Sequence, residues 1–339
     1  MDTAKVVRFH QSGGPEVLQV EDLPRPEPKE GEVRIKVQAI GLNRAEVMFR
    51  TGAYVEQPQF PSLIGVEASG IVDALGPGVN GIKIGDEISV ATGQSMGRYG
   101  TYGESVLVPA GYAIPYPSNL TPVEAASVWV QYLTAWFAFT DVANLQAGQH
   151  VLITAATGGA GLGAIQIAKA LGALTIATTR AASKKRALLD AGADHVIVTS
   201  TEDLPARVKE ITAGKGAELI FDPVAGKTLS TLAEAVAWGG NIILYGALGG
   251  LDVPYPISAG FVRNFGLRTY LVYNFCGLPT LGLPRNEAAF SRAAKFINAN
   301  LASGKLKPII ARTFPLAKIQ EAHHYMESDE QVGKIVVTV

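Results

Sequence analysis

The stretch from 150 to 173, HVLITAATGGAGLGAIQIAKALGA, constrains the fold more than any other part of the sequence. Its first residues, Val151 to Thr154, are apolar or β-branched as in a buried strand, and small residues from Ala155 to Gly161 then form a turn. Apolar residues continue at helical spacing from Leu162. Gly172 follows them, and glycine is common directly after the last residue of a helix. A strand, a glycine turn and a helix in this order are the context that a dinucleotide-binding fingerprint requires.

The turn carries the pattern Ala156-x-Gly158-x-x-Gly161, with alanine where the strict fingerprint has its first glycine. Gly158 and Gly159 would let the backbone approach a pyrophosphate, Gly161 would let the helix pack closely on the strand, and the N–H groups at the helix start would face the phosphates. A tight strand–helix turn without a ligand is the alternative. The predicted cofactor-binding residues of the turn are Ala156, Thr157, Gly158, Gly159, Ala160, Gly161 and Leu162.

The residues after the next predicted strand indicate which dinucleotide is bound. NAD sites place an acid about 20 residues beyond the glycines, but no acid lies between Leu174 and Leu189. Position 180, which is 180 − 161 = 19 residues beyond Gly161, is arginine. Because arginine binds phosphate through two parallel N–H groups, we predict NADPH as the cofactor. A solvated basic helix start is the alternative, although cations are unfavourable there. The residues predicted to hold the 2′-phosphate are Thr179, Arg180, Ser183 and Lys184.

Composition excludes several classes of protein. The 339 residues are 47% hydrophobic and 17% charged, which suits two globular domains. The net charge of −1 offers no basic surface for nucleic acid or anionic lipid, and the single Cys276 excludes an intrachain disulfide and a Cys-rich zinc lobe. The first residues, MDTAKVVRFH, lack an apolar signal core, and no apolar segment is long enough to span a bilayer, so a cytoplasmic location is expected.

Alternating or apolar runs separated by glycine and proline turns predict a β-rich, barrel-like domain before residue 116. A short helix is expected at 44–50. Thr121-Pro122-Val123-Glu124 is typical of a capping box with proline at the first helical position, and a helix is expected to continue to residue 139. The runs predicted as strands are 6–9, 17–23, 33–41, 68–75, 87–91 and 104–108.

From residue 150 strands alternate with helices, which is typical of a doubly wound parallel sheet. After about residue 274 the pattern changes, and the final strand is expected to return to the first domain. We therefore predict a discontinuous β-rich domain, 1–124 and 267–339, with a Rossmann domain, 125–266, inserted in it. The predicted strands are 151–155, 174–179, 195–199, 218–222, 241–246, 268–273, 309–314 and 334–339. The predicted helices are 161–171, 182–191, 203–213, 227–238, 286–301 and 316–326.

Several N-terminal motifs carry a family resemblance. They are AIGLNRAE at 39–46, RTGAY at 50–54, PSLIGVEASG at 61–70, Gly85-Asp86, and Tyr102-Gly103-Glu104. With the architecture, they make the chain resemble the medium-chain dehydrogenase/reductase superfamily, and within it the zinc-independent, zeta-crystallin-like quinone oxidoreductase branch, over essentially its whole length. The resemblance implies an α/β protein with a GroES-like β-rich catalytic domain and an inserted Rossmann sheet.

Two positions distinguish the chain from the zinc-dependent alcohol dehydrogenases. Where those enzymes place cysteine and histidine ligands, this chain has Asn43 and Val66. A catalytic zinc needs three protein ligands, so we predict no metal. His323 and His324 are adjacent on a predicted helix and would point in different directions, and both are expected at the surface.

Without a metal to stabilise an alkoxide, hydride transfer to an activated acceptor is the easier chemistry. Quinones and α,β-unsaturated carbonyl compounds need only hydrogen-bond donors for the oxygen that gains charge. The predicted catalytic residues are Asn43, whose amide would donate to that oxygen, and Tyr54, which would donate a hydrogen bond or a proton. A half-buried loop aromatic is the alternative for Tyr54.

The resemblance also implies further cofactor contacts and a site where the two domains meet. Thr134 lies in the segment where the family contacts nicotinamide. The other positions assigned to the cofactor are Val224, Gly246, Ala247, Leu248, Tyr273, Asn274, Phe275 and Lys334.

The leading hypothesis is therefore an NADPH-dependent reductase of small-molecule quinones or enones. Reduction of an enoyl thioester or another activated alkene is a second hypothesis, because it uses the same hydride chemistry in a pocket of different shape. A non-catalytic NADPH-binding protein, structural or RNA-binding, is the third, and the lack of a basic patch outside the cofactor strip argues against RNA. The apolar strand 241–245 is expected at or near a sheet edge and, with the resemblance, predicts a homodimer.

Overall fold

The computed structural model describes residues 2–339, which group by their contacts into two units. Unit 1 runs to Val130 and resumes at Tyr273, and unit 2 is Gln131–Val272. The predicted boundaries at 124/125 and 266/267 lie 130 − 124 = 6 and 272 − 266 = 6 residues earlier in the chain. Unit 1 is therefore discontinuous in sequence, with unit 2 inserted in it.

The first segment of unit 1 is built from short strands, because its apolar runs are brief and glycine or proline turns end each of them. The run predicted as a strand at 17–23 begins instead with a 3₁₀ turn at Pro15–Val17. The strands are β1 (Thr3–Arg8), β2 (Gln19–Pro24), β3 (Glu32–Gly41), β4 (Glu67–Leu75), β5 (Glu87–Val90), β6 (Ser105–Pro109) and β7 (Ala113–Pro115). The helices are α1 (Arg44–Arg50), α2 (Met96–Tyr99) and α3 (Pro122–Ala125).

A continuous helix was expected from residue 125 to 139, but the structure divides this region. Helix α3 ends at Ala125, α4 follows at Trp129–Phe137, and a π-helical turn occupies Ala138–Val142. The carboxylate of Glu67 accepts a hydrogen bond from the N–H of Val130 at 3.0 Å, which satisfies a backbone donor in the first turn of α4. A partner this distant in sequence cannot be seen in the local pattern.

Unit 2 alternates strands with helices, as the pattern predicts. Its strands are β8 (His150–Ile153), β9 (Leu174–Thr179), β10 (His195–Val198), β11 (Ala217–Asp222), β12 (Val236–Leu244) and β13 (Gly266–Thr269). Its further helices are α5 (Gly159–Ala170), α6 (Lys185–Asp190), α7 (Leu204–Ile211), α8 (Leu229–Ala233) and α9 (Ile257–Arg263).

The six strands of unit 2 form one parallel sheet in the order β10-β9-β8-β11-β12-β13. Apolar residues stand on both faces because helices cover both sides of a sheet of this kind. Wholly buried side chains from five of the strands belong to one core cluster, and burying each contributes about 1.5–3 kcal/mol. These residues are Leu152, Ile176, Ile197, Ile220 and Ile242.

The second segment of unit 1 contains α10 (Tyr273–Cys276), α11 (Glu287–Ala302), β14 (Ile310–Pro315), α12 (Ile319–Glu327) and β15 (Lys334–Thr338). Strand β15 pairs with β3, so the chain returns to the sheet of the first segment, as expected. The larger sheet of unit 1 has the order β14-β15-β3-β4-β5-β7, with β6 also paired to β3, and β1 and β2 form a separate ribbon. The predicted fold class is thus confirmed.

Two predicted elements were wrong in extent. The helix expected at 227–238 ends at Ala233, and β12 begins at Val236, which pairs with Ala217. Parallel pairing with β11 overrides the helical propensity of this alanine-rich segment. The strand expected at 268–273 is β13, which ends at Thr269, while Tyr273 begins α10.

Candidate functional site

The chain order of the unit 2 sheet reverses between β8 and β11, which lie side by side. In open parallel sheets, ligands bind outside the carboxyl ends of the strands at such a switch point. The glycine turn follows β8, so the fingerprint lies at this switch point. The fold and the sequence pattern therefore select the same edge of unit 2.

The glycines of the turn have different surroundings. A Cβ placed on Gly161 would lie 2.6 Å from the Cα of Ala156, so only glycine lets α5 pack this closely on the turn. A Cβ on Gly158 would meet only the carbonyl oxygen of Ala155, at 3.8 Å. Gly158 is also the N-cap of α5 and provides no side-chain capping bond. The first N–H groups of α5 thus have no capping side chain here, which suits an anion.

The predicted 2′-phosphate residues lie after β9. Arg180 follows the last residue of that strand, Thr179, and is exposed, while Thr179 is buried. Ser183 and Lys184 belong to the 3₁₀ turn Ala182–Lys184 that precedes α6. The N–H of Ala156 donates to the carbonyl of Thr178 at 3.1 Å, so the end of β9 and the glycine turn are directly joined. These residues therefore share one edge of unit 2 with the fingerprint.

The loops after β11 and β12 complete this edge. The N–H of Leu248 donates to the carbonyl of Pro223 at 3.0 Å, and the N–H of Gly249 donates to that of Val224 at 2.7 Å. A Cβ on Gly246 would lie 2.8 Å from the carbonyl oxygen of Pro223, which explains glycine there. Val224, Gly246, Ala247 and Leu248, all predicted cofactor contacts, are thus held together by their backbones.

Sequence reasoning missed Asp222, the last residue of β11. Its side chain is wholly buried and accepts hydrogen bonds from the hydroxyl of Thr154, just after β8, and from the N–H of Ala225 at 2.6 Å. Burial raises the pKa of this carboxyl, against these two donors. Asp222 therefore joins the ends of two central strands. The sequence signal that could have identified it is an acidic residue at the end of an apolar strand, in LIFDP at 219–223.

Thr134, the remaining predicted contact of unit 2, lies on α4 and is buried. A Cβ on Gly163 would lie 3.1 Å from the carbonyl of Gln131, one turn before Thr134, so α4 and α5 pack closely.

In unit 1, Asn43 is part of a buried ion-pair cluster. Its Nδ2 lies 3.2 Å from the carbonyl oxygen of Gly41, 3.2 Å from Oε1 of Glu67 and 3.4 Å from Oε1 of Glu46, and its Oδ1 accepts from Nζ of Lys334 at 2.7 Å. Both amide hydrogens therefore have acceptors inside the unit. The amide thus contacts the buried ion pair, and donation by Asn43 to a substrate oxygen stays a prediction.

Lys334, which is predicted to contact the cofactor, belongs to the same cluster. Its side chain is 3% exposed, and its Nζ donates to the carboxylate of Glu67, to the carbonyl of Leu42 at 2.9 Å and to Oδ1 of Asn43. The three donors of the ammonium group are thus used. These bonds hold Lys334 within unit 1, and its predicted contact with the cofactor stays a prediction.

A second buried chain of hydrogen bonds starts at Glu46. The hydroxyl of Tyr102 donates to Oε2 of Glu46 at 2.7 Å and lies 3.1 Å from Nε2 of His323. Nη1 of Arg50 lies 2.9 Å from Nδ1 of His323, and Nη2 donates to Glu327 at 2.7 Å. Because arginine only donates, Nδ1 of His323 accepts and the imidazole proton belongs on Nε2.

His323 is wholly buried, so the expectation of a surface residue was wrong for it, whereas His324 is exposed as expected. Burial lowers the pKa of His323 to about 3, and the positive charges of Arg50 and His324 add to the effect. Burial raises the pKa of Glu46 to about 7, opposed by the hydrogen bond from Tyr102. Neutral histidine is therefore built into unit 1.

Tyr54, the second predicted catalytic residue, is half-buried and donates from its hydroxyl to the hydroxyl of Tyr273 at 3.1 Å. The rings meet edge to face, with centroids 6.4 Å apart. The hydroxyl of Tyr273 is also hydrogen-bonded to the side chain of Thr92. Burial raises the pKa of Tyr273 to about 12 and that of Tyr54 well above its usual value. Asn274 is exposed and Phe275 half-buried on the same short helix, α10.

Among residues 2–339, no group of three or more histidine, cysteine, aspartate or glutamate side chains is arranged to hold a metal ion. Within the same residues, the helices are too short or too polar to cross a membrane.

Comparison with known proteins agrees with this architecture. Residues 29–118 match the alcohol dehydrogenase GroES-like domain, and residues 159–281 match the family described as zinc-binding dehydrogenase. Quinone oxidoreductase 1 of Escherichia coli is 32% identical over 332 residues, which cover 96% of this chain and 97% of that protein.

Solved structures are similarly close. The structure of Escherichia coli quinone oxidoreductase complexed with NADPH has a TM-score of 0.89 at 30% identity and covers 99% of this chain and 100% of that one. A structure described as an NAD-dependent alcohol dehydrogenase has a TM-score of 0.88 at 32% identity, with 99% of each chain covered. The fold and these likenesses define an oxidoreductase of the medium-chain dehydrogenase/reductase superfamily. Within it, the chain belongs to the quinone oxidoreductase branch.

Proposed function

We propose that this oxidoreductase uses NADPH to reduce quinones or α,β-unsaturated carbonyl compounds without zinc. The observation that carries the proposal is the carboxyl edge of the unit 2 sheet, which has the start of α5, with no side-chain cap from Gly158, and the exposed Arg180. Unit 1 of the same chain has the Tyr54 hydroxyl, and it has asparagine and valine at the two positions, 43 and 66, where zinc-dependent relatives have metal ligands. The NADPH complex of the Escherichia coli relative supports the choice of cofactor.

The residues fit the cofactor by their chemistry. The N–H groups at the start of α5 would bind the pyrophosphate, the glycines Gly158 and Gly159 would let it approach, and Arg180 would bind the 2′-phosphate. When bound, NADPH supplies the hydride. These contacts orient the cofactor, and none of them takes part in the chemical step.

The protein supplies a hydrogen-bond donor for the acceptor's oxygen. Tyr54 is the proposed donor, because its hydroxyl is hydrogen-bonded to another hydroxyl, which can also turn and donate. Asn43 is the other predicted donor, and its amide also contacts the Lys334–Glu67 ion pair. A carbonyl conjugated to an alkene needs such a donor as charge moves onto its oxygen, whereas a reduced quinone also takes protons from water.

Zinc independence rests on residue chemistry at two positions. Val66 has no ligating atom, and the oxygen of the Asn43 amide already accepts from Lys334 at 2.7 Å. A catalytic zinc requires three protein ligands, so these positions do not fit it. The likeness to an NAD-dependent alcohol dehydrogenase favours a second candidate, oxidation of simple alcohols, which the experiment must separate.

The test is a matched panel of acceptors and cofactors. Purified protein is assayed for NADPH and NADH oxidation with a quinone, an enone and an enoyl thioester, and for NADP⁺ and NAD⁺ reduction with a secondary alcohol, while elemental analysis counts bound zinc. We expect turnover with NADPH and the quinone or enone, and no stoichiometric zinc. Preferential turnover of the thioester would move the substrate class to activated alkenes of that kind. Efficient alcohol oxidation with about one zinc per chain would overturn the proposal.

A further inference from the structure

We propose that Tyr273 is a positioning residue for Tyr54, and that the two hydroxyls act as one reversible proton-donating pair in the reduction of conjugated carbonyl compounds. The inference rests on the proposed function and deepens it. Tyr273 is also a predicted cofactor contact, and its hydroxyl accepts a hydrogen bond from the hydroxyl of Tyr54 within unit 1.

The pair is distinguished from other tyrosines of unit 1 by what its hydroxyls face. Tyr99 donates to the carboxylate of Glu32 at 2.8 Å, and Tyr112 donates to the carbonyl of Cys276 at 2.8 Å. A carboxylate or a carbonyl only accepts, so the direction of those bonds is fixed. The bond from Tyr54 to Tyr273 joins two hydroxyls, each of which can donate or accept, so its direction can reverse.

The pair is also held in place on both sides. Tyr273 is 2% exposed and Thr92 is 1% exposed, and their side chains are hydrogen-bonded to each other. The edge-to-face contact, with an interplanar angle of 75°, fixes the Tyr54 ring against the Tyr273 ring. Tyr54 is the more exposed member, so it faces the acceptor and Tyr273 stands behind it.

Tyr54 passes its proton to the acceptor, and solvent replaces it. After an acceptor has received hydride at carbon, its oxygen carries the negative charge. The O–H bond of Tyr54 breaks, a new O–H bond forms on the acceptor oxygen, and a phenolate remains on Tyr54. The Tyr273 O–H turns to donate to that phenolate, while Thr92 remains hydrogen-bonded to Tyr273. Water then returns a proton to Tyr54.

Such a partner is required because Tyr54 alone is a poor acid. Burial raises its pKa, and the carboxylates of Glu46 and Glu56, together with Tyr273, raise it further while the pair is in its resting arrangement. Hydrogen bonds to a charged group are stronger than those to a neutral one. A Tyr273 O–H that donates to the phenolate therefore offsets part of the cost of removing the proton.

The experiment compares four variants of the full chain: Tyr273→Phe, Tyr54→Phe, the double variant, and Tyr112→Phe as the control. Tyr112 is also a buried tyrosine of unit 1 with one hydroxyl hydrogen bond. Tyr273→Phe should lower kcat for an enone about ten- to a hundredfold, the range for losing one hydrogen bond to a charged group, and leave the NADPH Kd and quinone turnover near wild type. The double variant should have the same kcat for the enone as Tyr54→Phe. Of the four variants, Tyr273→Phe should be the one in which the solvent deuterium isotope effect on enone turnover rises.

The outcomes separate the two proposals. A wild-type protein that reduces neither quinone nor enone refutes the proposed function and this inference with it. An active wild type in which Tyr273→Phe behaves like Tyr112→Phe, or in which the losses of the two single variants multiply, overturns this inference alone. Should Tyr273→Phe not fold, Thr92→Val removes the hydroxyl behind Tyr273 and should slow enone turnover several-fold with quinone turnover retained, and unchanged enone turnover would overturn the inference.

Discussion

Arg180 is the residue on which cofactor choice depends. Its side chain is exposed directly after β9, at the position where NAD sites have an acidic residue. Losing an arginine–phosphate contact costs about 1.5–3 kcal/mol, roughly ten- to a hundredfold in affinity. Arg180→Asp should therefore erase or reverse a preference for NADPH over NADH, measured as the ratio of Kd values by fluorescence titration.

Arg186→Asp is the matched control for Arg180→Asp. Arg186 lies on the following helix with its side chain 84% exposed and pairs with Asp190. Arg186→Asp should leave the ratio of Kd values unchanged, since Arg186 lies beyond the turn that follows β9. Equal affinity of the wild type for both cofactors would contradict the assignment of Arg180.

His323 makes the stability of the protein depend on pH with a defined sign. The unfolded chain binds a proton at His323 near pH 6.5, whereas the folded state does so only near pH 3. Stability is thus fully present above pH 6.5 and is lost as the pH falls toward 3, by about 1.4 kcal/mol per pH unit from this one group. His323→Gln, a neutral side chain that still accepts and donates, should lose less stability over this window in denaturant titrations.

The adjacent His324→Gln serves as the control, because His324 is exposed on the same helix. Glu46 acts in the opposite sense, since its raised pKa gives stability that is lost as the pH rises from 4.5 to about 7. Glu46 is present in both variants, so the difference between their stability–pH profiles isolates the contribution of His323. Parallel pH profiles of the two variants would contradict the buried neutral assignment.

Several individual residues could not be assigned from sequence, for one physical reason. The hydrogen bonds among Asn43, Lys334 and Glu67 join three separate segments that only the folded sheet brings together. His323 is buried because Arg50 and Tyr102, both distant in sequence, supply its hydrogen bonds. Arg180 could be placed from sequence because its position is set by a short strand–turn spacing.

At the scale of elements, the packing of α5 on the glycine turn depends on one glycine. A Cβ on Gly161 would lie 2.6–2.7 Å from backbone atoms of Ala156, which cannot move aside as a side chain could. Gly161→Ala should cost about 1–3 kcal/mol of stability and weaken NADPH binding, as measured by thermal unfolding with and without cofactor.

Gly158→Ala is the paired comparison. Its Cβ would meet only one backbone oxygen, at 3.8 Å, and φ there is −74°, so the folded state should be nearly unchanged. Cofactor affinity should still fall, because the new methyl group lies where the pyrophosphate would approach. Two variants with equal loss of stability would show that the glycines do not have separate roles.

Elements set by local sequence were predicted well, whereas the extent of the segment 227–238, which depends on strand pairing, was not. The capping box at Thr121 and Glu124 is present, with Pro122 at the start of α3, since all its partners lie within one turn. Helix α1 spans the predicted residues for the same reason. The segment 227–238 failed because its second half pairs with β11, and no local pattern records that neighbour.

At the scale of the whole molecule, the alternation of strands and helices was enough to predict an inserted parallel sheet, because right-handed crossovers leave few arrangements. The apolar strand expected at or near the edge is β12, which lies next to the edge strand β13. Helix α9 directly precedes β13 in the chain.

We propose that two copies of the chain associate through β13 and α9. Among residues 2–339, no strand pairs with the outer side of β13. Helix α9, which directly precedes β13 in the chain, has exposed apolar side chains: Phe261 is 85% exposed, Val262 75% and Ile257 61%. An unpaired edge beside exposed apolar residues invites pairing with its own copy, since an isologous contact buries both. Light scattering at micromolar concentration should give a dimer, and Phe261→Asp with Val262→Asp should shift it to monomer. Ile84→Asp, at a residue 64% exposed in unit 1, should leave the dimer intact. A wild-type monomer would contradict the proposed association. A dimer that dissociates with Ile84→Asp and not with the α9 substitutions would place the interface elsewhere.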